Sequence, residues 1–392
     1  MLDAEPACPG ASEAQDQTAP TTRPDAPLRA ERRAFDDIPR ATWDDLYARN
    51  PWATPFSAWP FQRAWWDAYG ANAHQETLLV SDDAGRARAV VPLMHRHEVE
   101  PSDALTHTKM RHGRVAHLTP VPPSAKAIFF GASYHADYAT ILTAPDDLPA
   151  VAAAVADYLA TEPSGPWDVV DLRRLRCGDP TADALAAAIG AREIAEGWTL
   201  NVEREDVCPV VTFPEDADID SYLATLGKKE RHEIRRKVRR AEAIGPIELT
   251  HSTDPVADLE SFIDLHQKRW GADGLFPDTP GGAQSRVFFR RLFELFAGSD
   301  DLALCFLSVG GRRIASGIHF ATADSVLYYN AGVDPEARDL SPGVLMVYAY
   351  VAAALKSGLR RMDFLRGDES YKYEWGAVDE PIQRVLVRRR DP

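Results

Sequence analysis

Cysteines and long apolar runs are scarce in this sequence of 392 residues. The four cysteines, Cys8, Cys177, Cys208 and Cys305, lie far apart and form no CxxC pair. This spacing argues against a disulfide framework or a zinc knuckle and favours a reducing cytoplasm. The longest apolar run, Val347 to Leu355, has about half of the roughly 20 residues that a membrane-spanning helix needs. We therefore expect a cytoplasmic protein without a membrane span.

Positive charge is also in the minority. The chain has 44 Lys and Arg against 59 Asp and Glu, which gives a net charge of −15. Such an acidic balance is not typical of dedicated nucleic-acid binders. A hydrophobic fraction of 45% with 26% charged residues excludes wholesale disorder. The length corresponds to two domains of about 150 residues each, or to one large domain.

The first segment, residues 1–34, consists largely of Pro, Ala, Thr, Gln and Asp and offers little to bury. We expect it to be a disordered tail. Asp3 and Glu5 are not followed by an apolar stretch, so the segment does not read as a secretory signal.

Helical and strand-like patterns alternate after the tail, and two stretches of the chain resemble each other. "WDVVDLRRLRCGD" and "GLRRMDFLRGD" each follow an Ala-rich helix and place an aspartate, Asp171 or Asp363, on a strand before a Gly-Asp pair. We interpret this as two copies of one α/β (α+β) unit. The first copy spans residues 35–215, and the second, residues 216–392, begins with a linker helix.

The linker helix is strongly basic. Between Lys228 and Arg240, eight Lys and Arg oppose only two Glu, which gives a local charge of +6. Leu223, Leu226, Ile234, Val238 and Ala241 fall near one face, so the helix is amphipathic. It either binds an anion, such as a cofactor phosphate or an acylated RNA, or is a solvated face paired with acidic neighbours.

A second candidate is the helix start at Ser341-Pro342-Gly343. Ser is a preferred N-cap, and the free N–H groups of a helix start bind pyrophosphate well. Gly343 permits close approach to the backbone, and Arg338 supplies positive charge. We therefore assign Arg338, Ser341, Gly343 and Val344 to cofactor binding, the alternative being an ordinary capped helix.

The third candidate is "DFLRGDESYKYEWGA", where polar and aromatic residues follow the end of a strand. Asp363 or Asp368 could orient or deprotonate an amine, Tyr371 could return a proton to a thiolate, and Lys372 could hold a carbonyl or phosphate. The alternative is a tight turn covered by aromatic side chains. We assign four further residues to the substrate site: Trp270, Tyr329, Asn330 and Arg366.

Histidines are present, but not at metal-ligand spacing. His95 and His97 alternate on one strand, and His107, His112 and His117 are scattered through a loop region, without a nearby Cys or carboxylate pattern. We expect no metal site, and we expect His319 to be a hydrogen-bonded core residue. The chain also lacks the P-loop, GxSxG and HExxH motifs, so no motif supports a function as a kinase, serine hydrolase or zinc protease.

Several of these strings occur together in a known family. "YLATLGKKERHEIRRKVRRAE", "HQKRWG", "YYNAGVDPEARDLSPGVLM" and "DFLRGDESYKYEWGA" resemble the CelD-like branch of the GNAT acyltransferase superfamily, which is similar in turn to Fem-type aminoacyltransferases. The resemblance covers residue 56 to the C-terminus and is strongest over residues 221–389. It implies two GNAT-like units, of which the C-terminal one is catalytic.

This resemblance also implies a reaction. An acyl group passes from an acyl-CoA thioester to an amine or hydroxyl, with the pyrophosphate at Ser341 to Val344 and with Lys372 serving the substrate. Arg338 and Gly343 only partly match the usual Q/R-x-x-G-x-G/A phosphate motif. The acceptor would be an amino sugar or an envelope polysaccharide precursor. Two alternatives stay open, namely a Fem-type transferase that uses aminoacyl-tRNA and a non-catalytic GNAT-like scaffold.

Overall fold

The computed structural model describes residues 27–96, 118–122, 125–161 and 166–389. His97, His107, His112, His117 and most of the expected tail lie outside these residues. The chain divides into two units: Met1–Asp206 together with Pro381–Pro392, and Val207–Glu380. The division falls at residue 207 rather than at the expected residue 216, and the last residues return to the first unit because their strand pairs there.

The first unit packs helices against two sheets. Its helices are α1 (Arg40–Arg49), α2 (Trp59–Tyr69), α3 (Leu148–Thr161), α4 (Thr181–Gly190) and α5 (Glu193–Glu196). Its strands are β1 (Arg29–Arg32), β2 (His74–Gln75), β3 (Leu78–Ser81), β4 (Ala87–Val91), β5 (Leu93–Arg96), β6 (Ala127–Phe130), β7 (Leu142–Thr143) and β8 (Val169–Arg176).

Two longer strands, β9 (Trp198–Thr212) and β15 (Val378–Arg389), contain the points of division. One sheet of the first unit has the order β1-β3-β4-β7, and β8 pairs with β6 on one side and β15 on the other.

Strand β1 corrects the expected disordered tail. Arg29–Arg32 pairs antiparallel with Leu78–Ser81, although the segment has few apolar side chains. Backbone hydrogen bonds to an open strand order it, and composition does not report such bonds.

The second unit contains the remaining elements. Its helices are α6 (Ile219–Thr225), α7 (Lys228–Glu242), α8 (Pro255–Trp270), α9 (Pro280–Leu295), α10 (Pro342–Lys356) and α11 (Ser370–Tyr373). Five strands form a sheet in chain order, and the last of them, β14, also pairs with β9. These strands are β10 (Ile247–His251), β11 (Leu302–Val309), β12 (Arg312–Ala321), β13 (Ser325–Val333) and β14 (Arg361–Asp363).

The two units repeat one motif, as the sequence predicts. In the first, β6 and β8 are parallel and their pairing reaches Phe129 and Asp171. In the second, β13 and β14 are parallel and their pairing reaches Leu327 and Asp363. In both units a helix, α3 or α10, lies between the two parallel strands in the chain. The protein is therefore a mixed α/β molecule of two units that repeat one motif.

The basic helix α7 belongs to the core of the second unit. Ile234, Val238 and Ala241 are buried there together with Tyr350 and Val351 of α10. The helix therefore packs as an integral element of this unit, because its apolar face has the spacing of a core-facing helix.

Two smaller findings complete the fold. Within the described residues, no helix combines the length and the apolar character needed to cross a bilayer. Cys208 and Cys305 are buried free thiols.

Candidate functional site

Strands β13 and β14 separate after a short parallel stretch. Their pairing runs from Ser325 and Arg361 to Leu327 and Asp363, and β13 then continues to Val333 paired with β12 only. The chain after β14 instead follows β9, since the N–H groups of Phe364 and Gly367 donate to the carbonyls of Pro209 and Val207 at 3.0 and 2.9 Å. The second unit thus has a cleft where the two strands part.

A β-bulge lies at the mouth of this cleft. On β12, Ile318 and His319 are consecutive, but their partners on β13 are Asn330 and Tyr328. Tyr329 is the extra residue, and it is half-buried. Bulges redirect the backbone and are frequent beside active sites, so the predicted residues Tyr329 and Asn330 both lie where β13 bends.

Helix α10 begins beyond the free end of β13. Ser341 precedes it in a left-handed conformation (φ 57°), its side chain makes no capping bond, and Pro342 has no N–H. Gly343 is exposed, and a Cβ built on it would meet nothing within 4 Å. The protein itself therefore does not require a glycine here, and the helix start is open to a ligand.

Arginines surround this helix start. Nη2 of Arg240, at the end of α7, donates to Oγ of Ser341 at 3.1 Å. Arg338 is exposed three residues before Ser341, whose N–H donates to the Arg338 carbonyl. The structure thus brings part of the basic helix to the predicted cofactor residues, a proximity that the sequence motifs do not indicate.

Lys372 holds the loop after β14. It is buried, and its Nζ donates to the carbonyls of Leu365, Arg366 and Gly367 at 3.0, 3.2 and 2.9 Å. Its ammonium also lies 2.9 Å from a carboxylate oxygen of Glu369. These contacts direct the ammonium toward its own loop, so its geometry is that of a positioning group.

Asp363 shapes the same loop from the other end. It is buried at the end of β14, and its Oδ1 accepts from the N–H of Leu365 at 2.7 Å. Leu365 has a left-handed backbone (φ 57°), a strained conformation for a residue with a branched side chain. The hydrogen bonds of Asp363 and Lys372 together hold the turn in this strained conformation.

The remaining predicted catalytic residues, Asp368 and Tyr371, follow Gly367 and differ in exposure. Asp368 is exposed, and Tyr371 is half-buried with its ring 5.9 Å from that of Phe364. Burial raises the pKa of the Tyr371 hydroxyl above its ordinary value, while Arg269 opposes that shift. Arg366, a predicted substrate residue, is buried.

Helix α8 contributes an aromatic side to the site. Trp270 is half-buried, and the guanidinium carbon of Arg269 lies 4.6 Å from the centroid of its ring. The ring of Tyr329 stacks on Phe289 at 6.1 Å, and Phe276 packs against Phe289 at 5.3 Å. Arg269 lowers the pKa values of Tyr371 and Tyr328, against the larger effect of burial, which raises both.

Sequence reasoning missed two residues of this region, Arg240 and Arg269. Both belong to strings that it singled out, the basic helix and "HQKRWG". Neither string says which of several neighbouring cations faces the site, because that depends on how α7 and α8 are rotated against the sheet.

Comparison with known proteins identifies a known domain within the second unit. Residues 228–373 match the family model described as an acetyltransferase (GNAT) domain. No curated protein matches the sequence at a significant level. The crystal structure of FemX is similar, with 12% identity, a TM-score of 0.55, and 88% of this chain and 96% of that chain covered.

Two further solved structures are similar. A protein of unknown function from Bacteroides thetaiotaomicron has 14% identity and a TM-score of 0.53, with 90% of this chain and 98% of that chain covered. A tandem GNAT protein from the clavulanic acid biosynthesis pathway has 12% identity and a TM-score of 0.47, with 93% and 99% covered. At such identities, FemX and the Bacteroides protein show a shared fold. Residues 228–373 thus match the GNAT acetyltransferase domain, and the chain as a whole shares its fold with FemX.

Proposed function

We propose that this protein, whose residues 228–373 match a GNAT acetyltransferase domain, transfers an acetyl or other acyl group from an acyl-CoA thioester to an amine or hydroxyl, with the chemistry in the C-terminal unit. One observation carries the proposal. The cleft between β13 and β14 opens at the Tyr329 bulge, with the unobstructed helix start at Gly343 beyond the free end of β13. Such a cleft accepts an extended thioester, and the helix start accepts its phosphates.

The phosphates of the donor would be held by three kinds of group. The free N–H groups at the start of α10 donate hydrogen bonds, the helix dipole adds positive potential, and Arg338 and Arg240 add full charges. Arg240 already reaches the Ser341 hydroxyl, so it needs only a small movement to contact a phosphate bound at Gly343 and Val344.

The reaction would proceed by direct attack. The acceptor nitrogen or oxygen forms a bond to the thioester carbonyl carbon, and the carbon–sulfur bond then breaks. Asp368, the exposed carboxylate on the loop, would accept the proton from the acceptor. Tyr371, kept protonated by burial, would return a proton to the departing thiolate. Asp363 and Lys372 would fix the loop that carries both groups.

The acceptor side is formed by Trp270, Tyr329, Asn330 and Arg366, with Arg269 as an addition from the structure. An aromatic surface with a guanidinium suits a sugar ring that carries polar or anionic groups. We therefore propose an amino sugar or an envelope polysaccharide precursor as acceptor, used in the cytoplasm. The N-terminal unit would bind or support without catalysing.

A second candidate donor is aminoacyl-tRNA, as in Fem-type enzymes. Helix α7 favours it, because within the described part of the chain Lys228, Lys229, Lys237 and Arg239 have no ion-pair partner, whereas Arg235 and Arg236 pair with Asp220 and Glu233. Pairing with acidic neighbours therefore neutralises only part of the positive charge of this helix.

Thermal unfolding with acetyl-CoA, longer acyl-CoAs and free coenzyme A would test the donor. A ligand at about 100 times its dissociation constant adds about 2.7 kcal/mol to the free energy of unfolding. We expect this stabilisation in the wild type and in Gly343→Ala, but not in Gly343→Trp, whose indole would fill the helix start. Arg240→Gln should weaken binding by about tenfold, and Arg235→Gln, a control on the same helix, should not.

The outcomes separate the candidates. Stabilisation by no thioester would contradict the coenzyme A proposal, and salt-sensitive binding of aminoacyl-tRNA would then favour the second donor. Thioester binding without release of free coenzyme A from the thioester in the presence of any amine or hydroxyl acceptor would favour the alternative of a non-catalytic scaffold.

A further inference from the structure

Three potential metal ligands lie on neighbouring strands of the second unit. His251 on β10 is directly opposite Cys305 on β11, and Cys305 is opposite Gly317 on β12, two residues before His319. Because side chains alternate along a strand, these three project from one face of the sheet. The proposed acyl transfer uses none of them.

Their ligand atoms converge. One atom from each residue lies within 4.8 Å of the other two. Sγ of Cys305 is 3.8 Å from Nδ1 of His319. A tetrahedral zinc ion with bonds of about 2.3 Å to sulfur and about 2.0 Å to nitrogen separates these two ligands by about 3.5 Å. The pair therefore needs to close by only a few tenths of an ångström.

Two residues of the cluster are buried, and the third is exposed to solvent. Cys305 and His319 are buried, whereas His251 is exposed and leaves a path to solvent. Tyr350 of α10 lies above the cluster, with its hydroxyl 3.0 Å from Nδ1 of His319 and hydrogen-bonded to Cys305. An added Cβ on Gly317 would lie 2.8 Å from that hydroxyl, so the glycine makes room for it.

We propose that His251, Cys305 and His319 bind one divalent cation of the zinc type, with a fourth position open to solvent. One thiolate with two imidazoles suits borderline ions such as Zn²⁺ and Co²⁺ rather than Mg²⁺ or Ca²⁺. On binding, the Cys305 thiol releases its proton to solvent and the Tyr350 hydroxyl donates to the resulting thiolate, which orients this ligand from the second coordination sphere.

Cobalt titration of the full chain, after treatment with a chelator, tests the site. We expect one equivalent of Co²⁺ to produce a thiolate-to-cobalt charge-transfer band and the visible bands of a tetrahedral ion, and Zn²⁺ to remove both. Cys305→Ser should abolish the charge-transfer band. Cys208→Ser, which alters the other buried free thiol, should leave it unchanged.

The exposed ligand supplies a variant that keeps the core intact. His251→Asn should weaken cobalt binding by about tenfold or more, while His232→Asn, an exposed histidine on α7, should not. Absence of the band in the wild type, its persistence in Cys305→Ser, or unchanged affinity in His251→Asn would each overturn the proposal. None of these results depends on acyl transfer, so the two proposals fail separately.

Discussion

A buried lysine ties the loop beside the proposed acceptor site to its own backbone. The ammonium of Lys372 bonds to three consecutive carbonyls, those of Leu365, Arg366 and Gly367. A neutral side chain of similar length would leave these carbonyls with weaker partners or none. Hydrogen bonds to a charged group are worth about 1.5–3 kcal/mol each in net terms.

Lys372→Met should therefore lower the free energy of unfolding by at least about 2 kcal/mol, measured by urea denaturation. Lys228→Met, at an exposed position of α7, should change it by less than about 0.5 kcal/mol. Equal, small effects of both substitutions would show that the loop does not depend on the lysine.

A buried histidine should make the stability depend on pH. Nε2 of His266 accepts from the N–H of Leu275, and its Nδ1 lies 3.2 Å from the Ala331 carbonyl. Burial lowers the pKa of His266 to about 4, so the folded protein holds this ring neutral. In the unfolded chain the ring takes up a proton near pH 6.5.

The neutral His266 ring therefore contributes fully to the free energy of unfolding above about pH 6.5. This contribution is lost as the pH falls toward 4, by up to about 1.4 kcal/mol per pH unit. Urea unfolding at about pH 7.5 and about pH 5 should show a shallower pH dependence in His266→Gln than in the wild type. His232→Gln is the exposed control. A parallel pH dependence in all three proteins would contradict the expectation.

At the scale of elements, a glycine sets how closely helix α8 approaches strand β13. A Cβ on Gly332 would lie 2.5 Å from the backbone nitrogen of His266 and 2.6 Å from the carbonyl carbon of Leu265. Both are backbone atoms of α8, so neither moves without moving the helix. This close packing holds the end of α8, with Arg269 and Trp270, against the bulged strand.

Gly332→Ala should lower the free energy of unfolding by about 1–3 kcal/mol and should weaken acceptor binding, because the end of α8 would be displaced. Gly343→Ala is the matched control, since its Cβ points into open space. Unfolding curves of the two variants check this, and equal stability would mean that α8 has room to shift.

The elements also show what a sequence can predict. The amphipathic basic helix and the strands that carry Asp171 and Asp363 follow from apolar periodicity and from the repeated pattern, and the structure confirms them. The bulge at Tyr329 leaves no such trace, because it arises from the register between two strands. The same holds for His251, Cys305 and His319, which only strand pairing brings together.

Contacts of single side chains are the hardest to predict. "YKYEWG" indicates a functional lysine, but only the structure shows that its ammonium faces the carbonyls of its own loop. The roles assigned to Asp368 and Tyr371 stay predictions, as does the cofactor role of Gly343.

At the scale of the whole molecule, the last strand completes the first unit. Arg384 on β15 is almost fully buried. Its Nε donates to Glu203 at 3.0 Å, its Nη1 lies 3.5 Å from Asp171, and its Nη2 donates to the Thr119 carbonyl. Removal of one partner from a buried ionic group typically costs about 3–5 kcal/mol.

Arg384→Met should therefore destabilise the protein by roughly 3 kcal/mol or more, measured by urea unfolding. Arg286→Met, whose ion pair with Glu260 is exposed, should cost less than about 1 kcal/mol. A small effect of Arg384→Met would show that Arg173, which also pairs with Asp171, suffices.

The return of residues 381–389 to the first unit sets an order of events during protein synthesis. The ribosome makes Met1–Asp206 first, but Val169 to Arg176 then has no partner strand at β15 until the whole second unit has been translated. The second unit, an unbroken stretch of chain, has all its residues earlier. We therefore expect the first unit to reach its native state only after β15 has been translated, although most of its residues are made first, which is an exception to the usual order in which N-terminal domains fold first.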